Sequence, residues 1–339
     1  MRKTMLLFLL ILMVASIWTE TQAWGNEGEL VIYSGRKEKF VLPLIEKFEQ
    51  ETGIKVKLLS GKATQYAHRI IEEQKRPQAD LLLANDAGVM EYLRLQGVLA
   101  PNNDPILNQI PANFKAVDGS WVGLSARARI FMYNPKLISE EEMPHSIFDL
   151  ADPKYKGKFA IARAGNESVI SHFAAIRAYA GDEKTKELIR GIMANEPIIT
   201  HGHTDIRKAV GAGEIAFGLV NNYYFHLQLE EKTNNDVKAI YPDQGPDQMG
   251  VFVNVAGVAL IKNAPHQKEA KKFIRFLLQP EQQKMFAWIS KETPILPEIE
   301  TLEYAKKINE YKVFELPLSK LGPVWNDTIK LMEEAGFSE

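Results

Sequence analysis

The sequence contains no cysteine. This absence excludes a disulfide framework, a thiolate metal site, a cysteine nucleophile and a lipid anchor on an N-terminal cysteine. An excess of charge is lacking too, because 41 basic and 43 acidic residues give a formal net charge of −2. A chain so close to neutral has no long-range attraction for a phosphate backbone, so we expect no nucleic-acid partner.

Long apolar runs are also scarce. Met5–Ile17 is nearly unbroken, but its length of about 13 residues is below the ~20 that a membrane-spanning helix needs. Two basic residues precede this run and short side chains follow it near Ala23, which is typical of an export signal. We therefore predict a cleaved signal over Met1–Ala23 and a mature periplasmic chain that begins near Trp24. An uncleaved membrane anchor is the alternative.

The remaining composition is that of a soluble globular protein, with 45% hydrophobic and 25% charged residues. It excludes an intrinsically disordered chain and a polytopic membrane protein. The length predicts about two domains of ~150 residues each. No internal repeat and no low-complexity stretch interrupts the sequence.

Short apolar strings alternate with segments of helical spacing in the first part of the mature chain. The strings Leu30–Tyr33, Ile54–Leu59 and Ala79–Ala84 are typical of buried strands. The helical periods between and after them predict a parallel sheet with helices on both faces. Ligands of such sheets lie at the carboxyl ends of the strands.

The pattern changes at Trp121–Tyr133, which is extended and apolar with no helix inside it, and predicts a crossing into a second lobe. A second α/β series follows, and Val251–Leu260 indicates a return strand. We predict one lobe from residues 24–124 and 254–280, and a second from residues 125–253 and 281–339.

The most informative string is Asn221-Asn222-Tyr223-Tyr224, directly after an apolar strand. Adjacent side chains point to opposite faces of a strand, so two tyrosines converge on one ligand most easily at a strand-to-helix junction. The asparagines suit a helix cap, and the helix N-terminus favours phenolate. Phenolate oxygens suit a hard trivalent cation. A packing role for the tyrosine pair is the alternative.

Basic residues indicate an anion site. Arg127 and Arg129 share one face of a strand, and a guanidinium suits a bidentate oxyanion; a pair of structural ion pairs is the alternative. Arg163, Asn166 and Ser168 follow another strand and open a helix, where free backbone N–H groups bind anions. Two further loops after strands carry polar or flexible residues, namely Ser34, Gly35, Arg36 and Lys37, and Asn85 with Asp86.

The sequence has no GxSxG, HExxH, Walker A or GxGxxG motif. His201 and His203 form an HxH pair, which chelates a metal on a strand and is otherwise part of a polar loop. A secreted hydrolase with His201 or His203 as general base is a remote alternative, since nothing places a serine nucleophile beside them.

At these residues the chain resembles the bacterial periplasmic ferric-iron-binding proteins, the solute receptors of iron(III) ABC importers. The resemblance covers nearly the whole mature chain through the strings VIYSGRKEKF, FEQETGIKVK, ADLLLANDAG, WVGLSARARIFMYN, LVNNYYFH and VNVAGVALIK. It implies a type II periplasmic binding protein fold, with two α/β lobes joined by hinge strands and the ligand between them. It also implies no catalytic activity, a membrane permease as partner and a monomer.

The resemblance assigns roles to residues. Tyr223 and Tyr224 match the paired tyrosine ligands of iron(III), and Arg127 matches an arginine beside a synergistic carbonate. Where relatives place a histidine and a tyrosine, this chain has Lys37 and Glu38, of which Glu38 is the better ligand because protonated lysine ligates poorly.

Other positions depart from the family. Asn85, with Asp86 beside it, stands where some relatives have a ligating glutamate, and Ser168 stands where others have a third tyrosine. Glu38, Asp86, carbonate or water must therefore complete the sphere, with the anion held by Arg127, Arg163, Asn166 and Ser168. The cleft also includes Asn222 and His203. A ferric chelate, or an anion such as a phosphonate or sulfonate without metal, is the alternative ligand.

Overall fold

The computed structural model describes residues 28–338. The predicted export signal Met1–Ala23 lies outside these residues. Within them, no helix combines the length and the apolar character that crossing a bilayer requires.

The first lobe begins with alternating strands and helices, as the periodicity predicts. Its elements are β1 (Glu29–Ser34), α1 (Glu38–Thr52), β2 (Lys55–Ser60), α2 (Ala63–Glu72), β3 (Leu81–Ala84) and α3 (Ala87–Leu95). Strand β1 pairs in parallel with both β2 and β3. Helix α1 buries Val41, Leu44 and Phe48 at helical spacing and ends at Gly53, whose φ of 70° is left-handed.

Two long antiparallel strands connect the lobes. Strand β4 (Trp121–Tyr133) is buried throughout and pairs with β9 (Val253–Leu260) along its first half. From Arg129 onward, β4 pairs instead with β7 (Phe217–Asn221) of the second lobe. Eight strands of the described chain thus form one continuous sheet in the order β2-β1-β3-β9-β4-β7-β5-β6, in which β5 is Phe159–Ala162 and β6 is Ile198–Thr200.

The second lobe repeats the α/β pattern. Its elements are β5 (Phe159–Ala162), α4 (Glu167–Ala180), α5 (Asp182–Ala194), β6 (Ile198–Thr200), α6 (His203–Ala212), β7, α7 (Asn222–Leu229) and β8 (Lys238–Ile240). Strand β5 pairs in parallel with β6 and β7, so the loops after all three strands open on the same edge of the sheet.

The C-terminal part of the chain packs on both lobes. It contains α8 (Gln267–Leu277), α9 (Pro280–Ser290), β10 (Thr293–Pro294) and α10 (Gly322–Glu334). Helix α9 packs against α1, β10 pairs with β4, and α10 contacts both α3 and α4. The division into lobes at residue 280 stays a prediction, and we propose that α9 belongs with the first lobe because its partner α1 lies there.

Helix α6 lies close to β7 because Gly218 has no side chain. A Cβ at this position would overlap Cγ2 of Ile206 on α6, and both residues are buried. The approach sets the position of His203 at the start of α6 relative to the end of β7, where the tyrosine pair begins.

Gly218→Ala should therefore destabilise the protein by about 1–3 kcal/mol, the usual cost of overfilling a packed core. Equilibrium unfolding in urea measures this change. Gly202→Ser is the control, because no atom lies within 4 Å of a Cβ there and serine is a favoured N-cap. Equal unfolding midpoints for Gly218→Ala and the unchanged protein would contradict this packing account.

Candidate metal centre

A cleft with a volume of about 1010 Å³ lies between the lobes and contains most of the predicted site residues. Its charged lining is mainly basic: Lys37, Lys39, Lys62, Arg127, Arg163 and Arg207. The acidic lining residues are Glu167, Glu292 and Glu333. The cleft therefore presents more positive than negative side chains, in a chain whose overall charge is nearly balanced.

Tyr223 and Tyr224 lie together in this cleft, in the first turn of α7. Their ring centroids are 4.1 Å apart with planes inclined by 33°. The junction between β7 and α7 brings the two adjacent side chains to one side, as the sequence predicts. Burial raises the pKa of Tyr223, so its phenol is protonated at neutral pH in the absence of a cation.

The two asparagines before the tyrosines do not cap the helix with their side chains, contrary to the prediction. Asn222 accepts a hydrogen bond from Ala128 N (3.1 Å) and donates to Thr293 Oγ1 (3.0 Å). Asn221 accepts from Arg129 and donates to Ser168 Oγ (3.0 Å). They tie the start of α7 to the connecting strands and to α4, which fixes the direction of the tyrosines.

Arg127 is the buried residue that joins both lobes at the cleft. Its Nη1 donates to the Asn85 carbonyl in the first lobe, and its Nη2 donates to Tyr223 Oη (3.2 Å) in the second. Burial alone would lower the pKa of Arg127, but the charge of Glu292 and the hydrogen bond to Tyr223 hold it above the usual value. Arg127 therefore stays charged beside the phenol, where an oxyanion would also be stabilised.

Glu292, which no sequence pattern indicated, compensates this charge. Its carboxylate pairs with Arg36 (3.1 Å) and with Arg127 Nε (3.3 Å), and it accepts hydrogen bonds from Ser125 and Ser290. Glu292 lies just after α9, in a string with no recognisable motif. Only the pairing of β10 with β4 brings it beside the arginines.

Arg129 faces the second lobe behind the tyrosines. Its Nη1 contacts His203 Nε2 and Asn221 Oδ1, both at 3.1 Å, whereas Nε and Nη2 are buried without a partner among the described residues. Burial, followed by the charge of Arg127, lowers the pKa of Arg129 to about 9. His203 is fully buried and meets Tyr224 edge-on. Because Arg129 donates to Nε2, that nitrogen is not free for a metal.

Neither of the two predicted carboxylate ligands lines the cleft that contains the tyrosines. Glu38 is the exposed first residue of α1 and does not line the cleft. Asp86 is buried as the N-cap of α3, where it accepts hydrogen bonds from Gly88 N, Ser171 Oγ and Asn254 Nδ2. Burial raises its pKa. Because its donors come from α3, α4 and β9, Asp86 holds these three elements together.

The predicted anion-binding residues Arg163, Asn166 and Ser168 do line the cleft, as do Asn85 and Lys37. Asn166 caps α4 by accepting from Ser168 N (3.1 Å). The opening loop serves mainly to hold Arg36. Ser34 Oγ accepts from Arg36 N, Gly35 packs against Ala63, and the Arg36 guanidinium bonds Asn85 and Glu292.

The HxH pair does not lie on a strand: His201 is in the exposed loop before α6, and His203 is the buried first residue of that helix. Between residues 28 and 338, no three histidine, aspartate or glutamate side chains come close enough to hold a metal ion. Tyr223 and Tyr224 are therefore candidate oxygen donors for a cation in the cleft.

Comparison with known proteins gives a consistent result. Residues 43–314 match the family model described as bacterial extracellular solute-binding protein. Iron uptake protein A1 of Synechocystis is 33% identical over 92% of this chain and 88% of its own length. An iron and citrate complex from Trichodesmium (TM-score 0.83, 30% identity) covers 92% of this chain and 100% of that one. Iron-bound HitA from Pseudomonas aeruginosa (TM-score 0.83, 29% identity) covers 91% of this chain and 99% of that one. These matches confirm the predicted two-lobed α/β fold.

Glu292→Gln should lower the free energy of unfolding by about 3–5 kcal/mol, because it leaves two buried guanidinium groups without their counter-charge. Urea unfolding of the metal-free protein measures the effect. Glu281→Gln serves as the control, since that carboxylate pairs with Lys47 at the surface and its loss should change little. Equal losses for the two variants would contradict the role given to Glu292.

Proposed function

The chain belongs to the bacterial extracellular solute-binding proteins, and we propose that it receives ferric iron in the periplasm and delivers it to the permease of an ABC importer. The observation that carries this proposal is the convergence of Tyr223 and Tyr224 in the cleft beside the charged Arg127.

The chemistry of the cleft fits a hard trivalent cation. Phenolates are anionic oxygen ligands, and the positive end of α7 and the charge of Arg127 favour their ionised form. In the described chain no cluster of histidines or acidic residues competes as a site for softer or divalent metals. Two phenolates do not complete the coordination of iron(III), so the remaining positions require further oxygen donors.

We propose that an oxyanion such as carbonate supplies part of this sphere. Arg127 and Arg163 line the same cleft, together with Asn166 and Ser168 at the N-terminus of α4. Guanidinium groups and the first turn of a helix are favourable places for an anion. The anion would neutralise the positive lining and offer oxygens to the metal.

The relatives support the cargo and the route. The family is one of solute-binding proteins, which agrees with the expectation that the chain is not an enzyme. One curated relative is named for iron uptake, and another, from Serratia marcescens, is named an Fe(3+)-binding periplasmic protein. A periplasmic location and a permease partner follow. We further propose a cleaved signal over Met1–Ala23 and a monomer that binds no nucleic acid.

The six basic residues of the lining favour one alternative, in which the cargo arrives as an anionic ferric chelate or is a small anion such as a phosphonate or sulfonate. In that case the basic side chains of the lining bind the anion, and Tyr223 and Tyr224 need not both ligate metal. Tight binding of metal-free citrate or of a phosphonate, with no gain on adding iron, would favour this alternative.

Tyr223→Phe and Tyr224→Phe should each weaken ferric binding by at least about tenfold. Even the loss of a group that only orients a metal ligand lowers metal affinity by about that factor. The mature protein is titrated with ferric citrate and bicarbonate, and its visible phenolate-to-iron absorption is followed. Tyr179→Phe is the control, since Tyr179 is exposed and lies outside the cleft lining. A wild-type protein that stays colourless and gains no thermal stability from iron would refute the proposal.

Iron affinity should fall as the pH falls. Burial raises the pKa of Tyr223, so its proton must leave when the metal binds, and acid reverses that step. Each proton released costs about tenfold in affinity per pH unit. Potentiometric titration measures how many protons are released for each iron bound. Proton release near zero would show that the phenols do not ionise on binding.

A further inference from the structure

Glu167 is the first residue of α4 and lines the cleft. Within residues 28–338 its carboxylate makes no hydrogen bond and no ion pair. The sequence pattern indicated its neighbours Asn166 and Ser168 as anion-binding residues but not Glu167 itself.

The other two acidic residues of the lining differ from it. Glu292 is committed to Arg36, Arg127 and two serines, and Glu333 is exposed on α10. Glu167 alone among the three is partly shielded from solvent and lacks a partner in the described chain. Removing an unpaired carboxylate from water is costly, so a cation bound in the cleft would stabilise the ionised form of Glu167.

The surroundings of Glu167 connect it to the tyrosine pair. Ser168, the next residue, accepts a hydrogen bond from Asn221 Nδ2 (3.0 Å), which joins the start of α4 to the start of α7. Burial raises the pKa of Glu167 to about 7; the charge of Asp86 adds to this rise, and the charges of Arg127 and Lys62 oppose it. The Asp86 carboxylate is already satisfied by three donors, and Arg127 is already paired with Glu292. Glu167 is therefore the carboxylate left available to a cation in the cleft.

We propose that Glu167 is an oxygen ligand of the bound ferric ion, in addition to Tyr223 and Tyr224. This inference rests on the proposed function. Two phenolates and one carboxylate carry three negative charges, which match the charge of iron(III) with oxygen donors of the type that a hard cation prefers. Glu167 thereby takes the place of the ligands that the sequence lacks at Lys37 and Ser168.

Glu167→Gln tests this assignment, because glutamine keeps the size and removes the charge. Ferric affinity should fall at least about 100-fold, since losing a group that only orients a ligand already costs about 10- to 100-fold. Glu333→Gln is the matched control, as it removes the same charge from the exposed rim of the same cleft and should leave the affinity nearly unchanged. Titration with ferric citrate and bicarbonate, repeated with gallium(III), provides a readout that does not depend on colour.

The results separate this inference from the proposed function. A fall for Glu167→Gln alone, with the unfolding midpoint of the metal-free variant retained, supports a ligand role. Equal affinity for Glu167→Gln and wild type, in a wild type that binds iron, overturns the inference and leaves the proposed function standing. A gain in affinity also overturns it, because Glu167 would then repel an anionic cargo. A wild type that binds neither iron nor gallium overturns the proposed function itself.

Discussion

The guanidinium of Arg127 is the group on which the candidate site depends. It is buried, it lies on a strand shared by both lobes, and it contacts a backbone carbonyl of one lobe and the phenol of Tyr223 in the other. A charge in this place requires compensation, which Glu292 provides from the segment after α9. The same charge favours a phenolate and an oxyanion in the cleft. One arginine thus links the hinge strands, the tyrosine pair and the electrostatics of the cargo site.

The sequence has no cysteine, and residues 28–338 hold no histidine cluster, which is consistent with this chemistry. The cleft offers phenol, carboxylate and amide oxygens, whereas His203 is engaged with Arg129 and His201 lies exposed in the loop before α6. Oxygen donors surrounded by basic side chains suit a small, highly charged cation that arrives with anionic companions. A site of this kind releases its metal when protons or a competing chelator claim those oxygens.

The sequence predicted most of the fold and the meeting of Tyr223 and Tyr224 at one junction, because both depend on local patterns. Apolar periodicity located the strands and helices, and the string around Tyr223 and Tyr224 marked a strand-to-helix junction. Such local patterns do not predict long-range contacts. Nothing local distinguishes Glu292, which reaches Arg127 only through the β10–β4 pairing. Asp86 looked ligand-competent, but Ser171 and Asn254 from distant segments satisfy it. Glu167 was not predicted for the same reason, because it is distinguished by a carboxylate without a hydrogen bond or ion pair among the described residues.

Resonance Raman spectroscopy of the iron-loaded mature protein tests the central claim most directly, because excitation in a phenolate-to-iron band enhances the ring vibrations of ligating tyrosinates. The account predicts these vibrations in the wild type, with their loss or strong reduction when Tyr223 or Tyr224 is replaced by phenylalanine. An iron-loaded protein whose spectrum contains no tyrosinate vibrations would contradict it, since the metal would then be bound without the tyrosine pair.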